Sequence, residues 1–107
     1  MSEKPIVWLG SSLANLRAFP GRARQYAGFE LGLVQQGLDP TDWRPMPAVG
    51  VGVREIRIHT GREHRVLYLA QRADAVFVLH AFEKKSNRTP QSDIKLARCR
   101  LRQLHWR

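Results

Sequence analysis

Three consecutive segments in the second half of the chain have the composition of β-strands, with arginines and lysines set among apolar residues. They are residues 53–58, 64–69 and 75–85. Because successive side chains of a strand point to opposite faces, Arg57 is predicted to point away from the core that Ile56 and Ile58 enter. Turn-forming residues at 60–62 and 71–74 join the segments, which predicts an antiparallel meander.

Apolar residues at helical spacing predict helices before and after this meander. A first strand at 4–9 precedes a short helix at about 12–19, and Pro20 fits the first turn of a second helix. The buried stripe of the second helix is predicted to comprise Ala23, Tyr26, Ala27, Leu31, Val34 and Leu38. A last helix follows the segment 86–90, and its apolar stripe is Ile94, Ala97, Leu101 and Leu104. Prolines and glycines predict a loop at 40–52.

The predicted order of elements is therefore β-α-α-β-β-β-α. We expect one α+β domain over residues 1–107, with a small, mainly antiparallel sheet, an N-terminal helical hairpin and a C-terminal helix. All helices are expected on one side of the sheet. The apolar fraction of 43% is typical of a folded globular chain. No apolar run approaches the roughly 18–20 residues of a membrane span.

Positive charge is concentrated in the second half of the chain. Of the net charge of +9, residues 1–53 contribute +1 (five Lys/Arg, four Asp/Glu) and residues 54–107 contribute +8 (thirteen and five). A sheet that carries fixed cations predicts a polyanionic partner, RNA or DNA first. The lack of an apolar export signal and the lone Cys99 predict a cytoplasmic protein without an internal disulfide.

The residues also carry a family resemblance. The order of elements, the segments 54–57 (Arg-Glu-Ile-Arg), 64–68 (His-Arg-Val-Leu-Tyr) and 80–86 (His-Ala-Phe-Glu-Lys-Lys-Ser), and Thr89-Pro90 resemble the RelE/ParE toxin superfamily. Within it, the chain is most similar to the HigB-like, phage-derived host-killer branch. The resemblance implies a small bacterial toxin of a type II toxin–antitoxin system. Many such toxins cut mRNA in the ribosomal decoding site, whereas the ParE branch poisons DNA gyrase.

The resemblance also implies a basic catalytic site. Arg65 matches a family arginine that contacts the scissile phosphate, and Arg57 matches a basic residue near the end of the preceding strand. The alternatives are that Arg65 is an exposed charge at a strand edge and that Arg57 only pairs with Glu55, which lies on the same face. Lys84 and Lys85 follow the third strand, where the family has another catalytic cation; the sequence does not rank the two. Metal-free RNA cleavage needs the 2′-hydroxyl held in line, the developing charge stabilised and protons moved. Arginines and lysines suit the first two tasks.

The sequence offers two candidates, His80 and Tyr68, for the group that moves the proton. His80 is the best histidine candidate because imidazole titrates near neutrality, although its apolar strand favours a core role. Tyr68 is a second candidate, as a hydrogen-bond donor, a stacking platform for a base or a core residue. The segment 86–90 lacks the tyrosine or histidine that several RelE-type enzymes carry there. Further RNA contacts are expected from Arg54, His59, Arg62, His64 and Arg88.

Other chemistries lack support in the sequence. The histidines and the single cysteine show no zinc spacing, and Gly50-Val51-Gly52 lacks the flanking residues of a nucleotide-binding loop. Neither a nucleophile elbow nor a carboxylate cluster for magnesium is evident. We therefore expect neither a metal nor another cofactor.

The leading hypothesis is a metal-independent endoribonuclease that cleaves translated mRNA and arrests growth. The alternative is a ParE-type gyrase inhibitor without nuclease activity, and a third possibility is an inactive relative that acts only with an antitoxin in repression. The resemblance implies a cognate antitoxin of helix-turn-helix type, encoded by an adjacent gene. The toxin is expected to associate with operator DNA only through this antitoxin. Messenger RNA and the ribosome are the other expected partners, and no membrane partner is expected.

Overall fold

The computed structural model describes residues 3–105, so residues 1–2 and 106–107 of the predicted domain lie outside the described part. The elements are β1 (Ile6–Trp8), α1 (Ser12–Arg17), α2 (Gly21–Gln35), β2 (Trp43–Pro45), β3 (Val53–His59), β4 (Glu63–Leu69), β5 (Val76–Glu83) and α3 (Gln91–His105). The predicted α+β fold is confirmed, with most element boundaries within about two residues of those expected. None of the helices described has the length and apolar character that a membrane span needs.

The five strands form one sheet in the order β1-β5-β4-β3-β2. β1 runs parallel to β5, and every other neighbouring pair is antiparallel. The predicted turn between β3 and β4 contains Gly61, whose φ of +89° is a conformation that glycine adopts at little cost. The mainly antiparallel meander is therefore as predicted.

Strand β2 was not predicted, because residues 40–52 were expected to form a loop throughout. Its three residues form an edge strand that pairs with β3, with Arg44 opposite Glu55. Pro45 is compatible with this position because an edge strand has a free side on which no ladder hydrogen bond is needed. So short a strand has no hydrophobic alternation from which it could be recognised.

The helices pack on both faces of the sheet, so the expectation that all of them lie on one side is wrong. One buried cluster joins α1 and α2 to one face through Leu16, Phe19, Ala23, Ala27, Leu31, Val34, Ile56, Ile58, Val66, Tyr68, Val76, Val78 and Ala81. A second joins α3 to the other face, where Leu67, Leu79 and Leu101 are among its members. We call these the hairpin face and the α3 face. Both sides of β4 and β5 are buried, which explains why β5 and residues 66–69 of β4 are apolar at nearly every position.

The burial of α2 differs from its predicted stripe at two positions. Ala23, Ala27, Leu31 and Val34 are buried as expected, but Tyr26 is 45% exposed and Leu38 lies beyond the helix and is 54% exposed. The sequence did not indicate the burial of Glu30. Its carboxylate accepts hydrogen bonds from the backbone nitrogen of Thr41 (2.7 Å) and from Thr41 Oγ1 (2.9 Å). It thereby fixes the chain just before β2.

A β-bulge in β5 changes which residues face α3. Leu67 is paired with His80, but the next residue, Tyr68, is paired with Val78, so Leu79 has no opposite residue. Leu79 and His80 consequently both point to the α3 face. The carbonyl of Leu79 accepts a hydrogen bond from Arg100 Nη1 at 2.8 Å, so the bulge anchors α3 to the sheet.

Candidate functional site

Basic and acidic side chains meet on the α3 face at one end of β3 and β4. Arg57 is paired with Arg65 across these strands, and His59 is paired with Glu63 two residues along. The alternation of the strands places all four side chains on the α3 face, opposite to Ile56 and Ile58 of the hairpin-face core. Together with Asp42 and Glu55 we call them the strand-end cluster.

Arg65 is the innermost member of the strand-end cluster. Its side chain is 3% exposed, and that of Glu55 is 2% exposed. Arg65 Nε lies 3.6 Å from Glu55 Oε1, Nη2 donates to Glu63 Oε1 at 3.0 Å, and Nη1 donates to the carbonyl of His64 at 3.0 Å. A buried guanidinium with two carboxylate partners is held rigidly and does not face open solvent.

Arg57 lies beside this pair and is more accessible. Its Nη1 is 4.0 Å from Asp42 Oδ1, a long ion pair, and its side chain is 28% exposed. Its backbone nitrogen donates to the carbonyl of Asp42 at 2.9 Å, which keeps Asp42 next to β3. The backbone of Arg57 is therefore fixed against Asp42, while the ionic contact of its guanidinium is weak.

His59 links the two halves of the strand-end cluster. Its Nε2 is 2.7 Å from Asp42 Oδ2, and its Nδ1 is 2.7 Å from Glu63 Oε1. These hydrogen bonds, the one to Asp42 first, raise the pKa of His59, and the hydrogen bond from His59 lowers the pKa of Glu63. Nearly half of the imidazole surface remains exposed. The group is thus accessible and favours its protonated form.

Three buried polar atoms of the cluster have no hydrogen-bond partner within the described part of the chain. They are Glu55 Oε2, Arg57 Nε and Arg65 Nε, all on the α3 face. Leaving a buried donor or acceptor unpaired costs about 1–3 kcal/mol. Their grouping at one place marks the buried base of the cluster as a costly arrangement of polar atoms.

Of the other predicted cations, Lys84 lies next to this cluster. The backbone nitrogen of Lys84 donates to the carbonyl of Glu63 at 2.7 Å, so Lys84 extends the row formed by His59 and Glu63. Lys85 and Arg88 are exposed in the segment that leads to α3. Arg62 is exposed in the β3–β4 turn, with Nη1 4.0 Å from Glu83 Oε1.

Tyr68 and Arg54 lie on the opposite, hairpin face and are not brought to the cluster. They are paired across β3 and β4. Burial raises the pKa of Tyr68, and its hydroxyl makes no hydrogen bond to residues 3–105. The Arg54 guanidinium is 3.9 Å from the Trp43 ring centroid and 2.9 Å from Asp39 Oδ1. Both residues line a cavity of about 610 Å³.

The two remaining candidate histidines are core residues. His80 Nε2 is 2.6 Å from Asp93 Oδ1, and burial lowers the pKa of His80 more strongly than Asp93 raises it. His64 is buried on the hairpin face, 4.4 Å from Phe19 between ring centroids, and burial lowers its pKa. Neither imidazole is presented to solvent.

Asp42 and Glu63 are the carboxylates that the sequence analysis missed, and Glu55, the candidate partner of Arg57, lies instead beside Arg65. A basic row with few acids nearby was expected, whereas Asp42, Glu55 and Glu63 alternate with the cations. A signal was present for two of them: Glu55 and Glu63 each lie two residues from an arginine on the same strand, hence on the same face. Asp42 is distant in sequence from all of its partners and gave no such signal.

Most of the chain matches a known protein family. Residues 14–102 match the model of a family described as phage derived protein Gp49-like (DUF891). No curated protein sequence matches the chain significantly. Among residues 3–105, no group of three or more histidine, cysteine or acidic side chains is arranged to hold a metal ion.

Proposed function

This chain belongs to the phage-derived Gp49-like family, a toxin-like family of the RelE/HigB type, and we propose that it is a toxin that cleaves translated mRNA. The proposed reaction is a transesterification in which the RNA 2′-hydroxyl attacks the adjacent phosphate. It yields a 2′,3′-cyclic phosphate and a 5′-hydroxyl end. The protein's task is then to bind the phosphate, orient the attack and move protons.

The observation that carries this proposal is the strand-end cluster itself. Arg57 and Arg65 are directly opposite each other, with Lys84 and His59 in the adjoining row of the same face. Two guanidinium groups side by side repel each other unless an anion lies between or beside them. Here the chain's own carboxylates supply that anion, and a phosphate has the charge and geometry to compete for the same donors.

The cations differ in solvent exposure, and therefore in the role that each can take in binding a phosphate. Arg57 is partly exposed and its ion pair to Asp42 is long, so it can turn to a phosphate at little cost. Lys84 is partly exposed beside Glu63. Arg65 is buried and bound to Glu55 and Glu63. Its role is to fix these carboxylates and to contribute positive electrostatic potential at the adjacent Arg57 and His59.

The experiment is induction of the wild-type chain and of Arg57→Ala in bacteria, with growth and mRNA 5′ ends recorded. We expect the wild type to arrest growth and create new 5′-hydroxyl ends, and Arg57→Ala to reduce cleavage about 10–100-fold through the loss of one phosphate contact. Arg24→Ala is the matched control, because Arg24 is an exposed arginine on α2. That variant should cleave like the wild type.

Two results would contradict the nuclease. Growth arrest with intact mRNA and damaged or relaxed DNA would identify a gyrase poison of the ParE type. Undiminished cleavage by Arg57→Ala would remove the strand-end cluster from the reaction. Circular dichroism of each purified variant checks that the compared chains are folded.

We also propose that the antitoxin of this toxin is an acidic protein that inserts an apolar segment into the cavity beside Trp43 and Arg54. The rim of that cavity carries Leu38, 54% exposed, and Val51, 90% exposed, next to the Arg54 cation. Co-expression with the neighbouring gene should give a stable complex, which Val51→Asp weakens and Arg24→Ala leaves intact. A basic neighbour, or a complex indifferent to Val51→Asp, would overturn this proposal.

A further inference from the structure

We propose that His59 is the general acid of the reaction, donating the proton that the 5′-oxygen leaving group needs. This inference rests on the proposed ribonuclease function and assigns a catalytic residue within it. It follows from the position of His59 between Asp42 and Glu63, an arrangement that the sequence alone did not indicate.

Both carboxylates lie 2.7 Å from the imidazole, but their other contacts anchor them unequally. Glu63 receives a second hydrogen bond, from Arg65 Nη2 at 3.0 Å, and is thereby fixed to the buried centre of the cluster. Asp42 has only a 4.0 Å ion pair to Arg57 as its other ionic contact. Glu63 therefore serves as the fixed orienting partner of Nδ1, whereas Asp42 can yield Nε2 to a substrate oxygen.

The charges around His59 keep the proton on the ring. Asp42 and Glu63 face it directly, and beyond them stand Arg57, Arg65 and Lys84. The hydrogen bonds to Asp42 and Glu63 outweigh the partial burial of the ring, so the pKa of His59 is raised. The protonated imidazole is the form that can give a leaving alkoxide the proton it requires.

The other groups that titrate or donate protons are less suited to this role. The imidazoles of His64 and His80 are buried, and burial lowers the pKa of each. Tyr68 lies on the opposite face of the sheet. The segment 86–90, which follows the last strand, contains neither a tyrosine nor a histidine. His59 is the one histidine with a described side chain that is both exposed and next to Arg57.

The proposed step is balanced as follows. The 2′-oxygen forms a bond to phosphorus as its proton leaves to water, and the bond between phosphorus and the 5′-oxygen breaks. His59 Nε2 transfers its proton to that oxygen, which departs as a hydroxyl. The neutral imidazole then regains a proton from water, and Asp42 returns to Nε2.

The test compares the wild type and His59→Gln on two RNA substrates of the same sequence. One has the normal 5′-oxygen at the scissile linkage and the other has a bridging 5′-sulfur, which leaves without protonation. On the normal substrate we expect His59→Gln to lose about 100-fold or more in rate. On the sulfur substrate its rate should approach that of the wild type.

The pH profile gives an independent readout. The wild-type rate on the normal substrate should fall as pH rises above about 6.5 through the raised pKa of His59, because the protonated form is the active one. The fall should be absent for His59→Gln and for the sulfur substrate. Arg24→Gln, which removes an exposed cation from α2 and away from the cluster, is the control and should retain the wild-type profile.

Each failure has a distinct meaning. An equal loss on both substrates would show that His59 only positions the RNA, and an unchanged rate on the normal substrate would exclude it from the reaction. Either result would overturn this inference while the wild type still cleaved RNA. If the wild type cleaved neither substrate, with or without ribosomes, the proposed function itself would fail.

Discussion

At the scale of single residues, the ion pair between Arg65 and Glu55 is the contact on which the candidate site rests. Both side chains are almost fully buried, and Glu55 Oε2 has no hydrogen-bond partner within the described residues. Burying two charges costs solvation energy that their attraction only partly repays. The pair therefore adds little net stability to the fold.

Removing one partner of this pair should therefore be more damaging than removing both. We predict that Arg65→Met destabilises the fold by about 3–5 kcal/mol, because it leaves the Glu55 carboxylate buried and unpaired. Urea unfolding measures the change, and the double variant Glu55→Met/Arg65→Met should recover most of it. A double variant as unstable as the single one would show that packing, not charge, sets the cost.

The histidines should give the stability a characteristic pH dependence. Burial lowers the pKa of His64 in the folded state, so the unfolded chain binds a proton that the native chain does not. The contribution of His64 is complete above about pH 6.5 and is lost as pH falls toward its folded pKa. Between pH 7.5 and 5, His64→Phe should consequently lose less stability than the wild type.

His59 acts in the opposite direction, which makes the comparison informative. Because its pKa is raised in the folded state, His59 contributes stability that is complete below about pH 6.5. This contribution is lost as pH rises through the folded pKa. His80 has a lowered pKa, like His64, and remains in both chains. Equal losses for the wild type and His64→Phe would assign the acid sensitivity to His80 or to the carboxylates.

At the scale of elements, the contact between α3 and the β5 bulge determines where the last helix lies. Arg100 extends from α3 to the Leu79 carbonyl at 2.8 Å and to Ser11 Oγ at 2.7 Å, beside α1. Gly10 makes room for it, because an added Cβ would lie 2.5 Å from Arg100 Nε. Arg100 is therefore a buried structural cation and not part of the exposed basic charge.

Arg100→Met should destabilise the protein by about 1–3 kcal/mol, since it leaves the Leu79 carbonyl without a donor. Arg102→Met, on the exposed side of the same helix, should change stability by no more than about 0.5 kcal/mol. Chemical denaturation of the two variants makes the comparison. A similar, small effect of both would mean that the bulge does not depend on Arg100.

At the scale of the whole molecule, the net charge of +9 overstates the charge available to a ligand. Arg54, Arg57, Arg62 and Arg65 each have a carboxylate within 4.0 Å. Arg100 is buried. Binding of a polyanion should accordingly depend on a few accessible cations and on the exchange of internal ion pairs.

The salt dependence of RNA binding tests this view. With a 2′-O-methyl RNA that cannot be cleaved, three phosphate contacts by Arg57, Lys84 and protonated His59 predict a slope of log K against log[salt] of about −2. Lys84→Ala should make the slope shallower by about 0.7. Lys95→Ala, an exposed cation on α3, should leave it unchanged. A much steeper slope that is insensitive to Lys84 would indicate diffuse attraction by the whole surface.

The sequence by itself determined the element types and their order, because those depend on local periodicity, turn residues and proline positions. The meander, the two N-terminal helices and the last helix were all found in this way, and so were the positions of Arg57 and Arg65 on their strands. Strand β2 was missed because three residues at an edge carry no periodicity.

Only the tertiary structure decided which face each helix covers and which charges meet. Alternation divides the residues of a strand into two sets but does not state which set lies under which helix, so α3 was placed on the wrong side. The bulge at Leu79 reverses that alternation within β5. Asp42 joins His59 and Arg57 across 15 or more positions of sequence, through a hydrogen-bond ladder that exists only in the folded sheet.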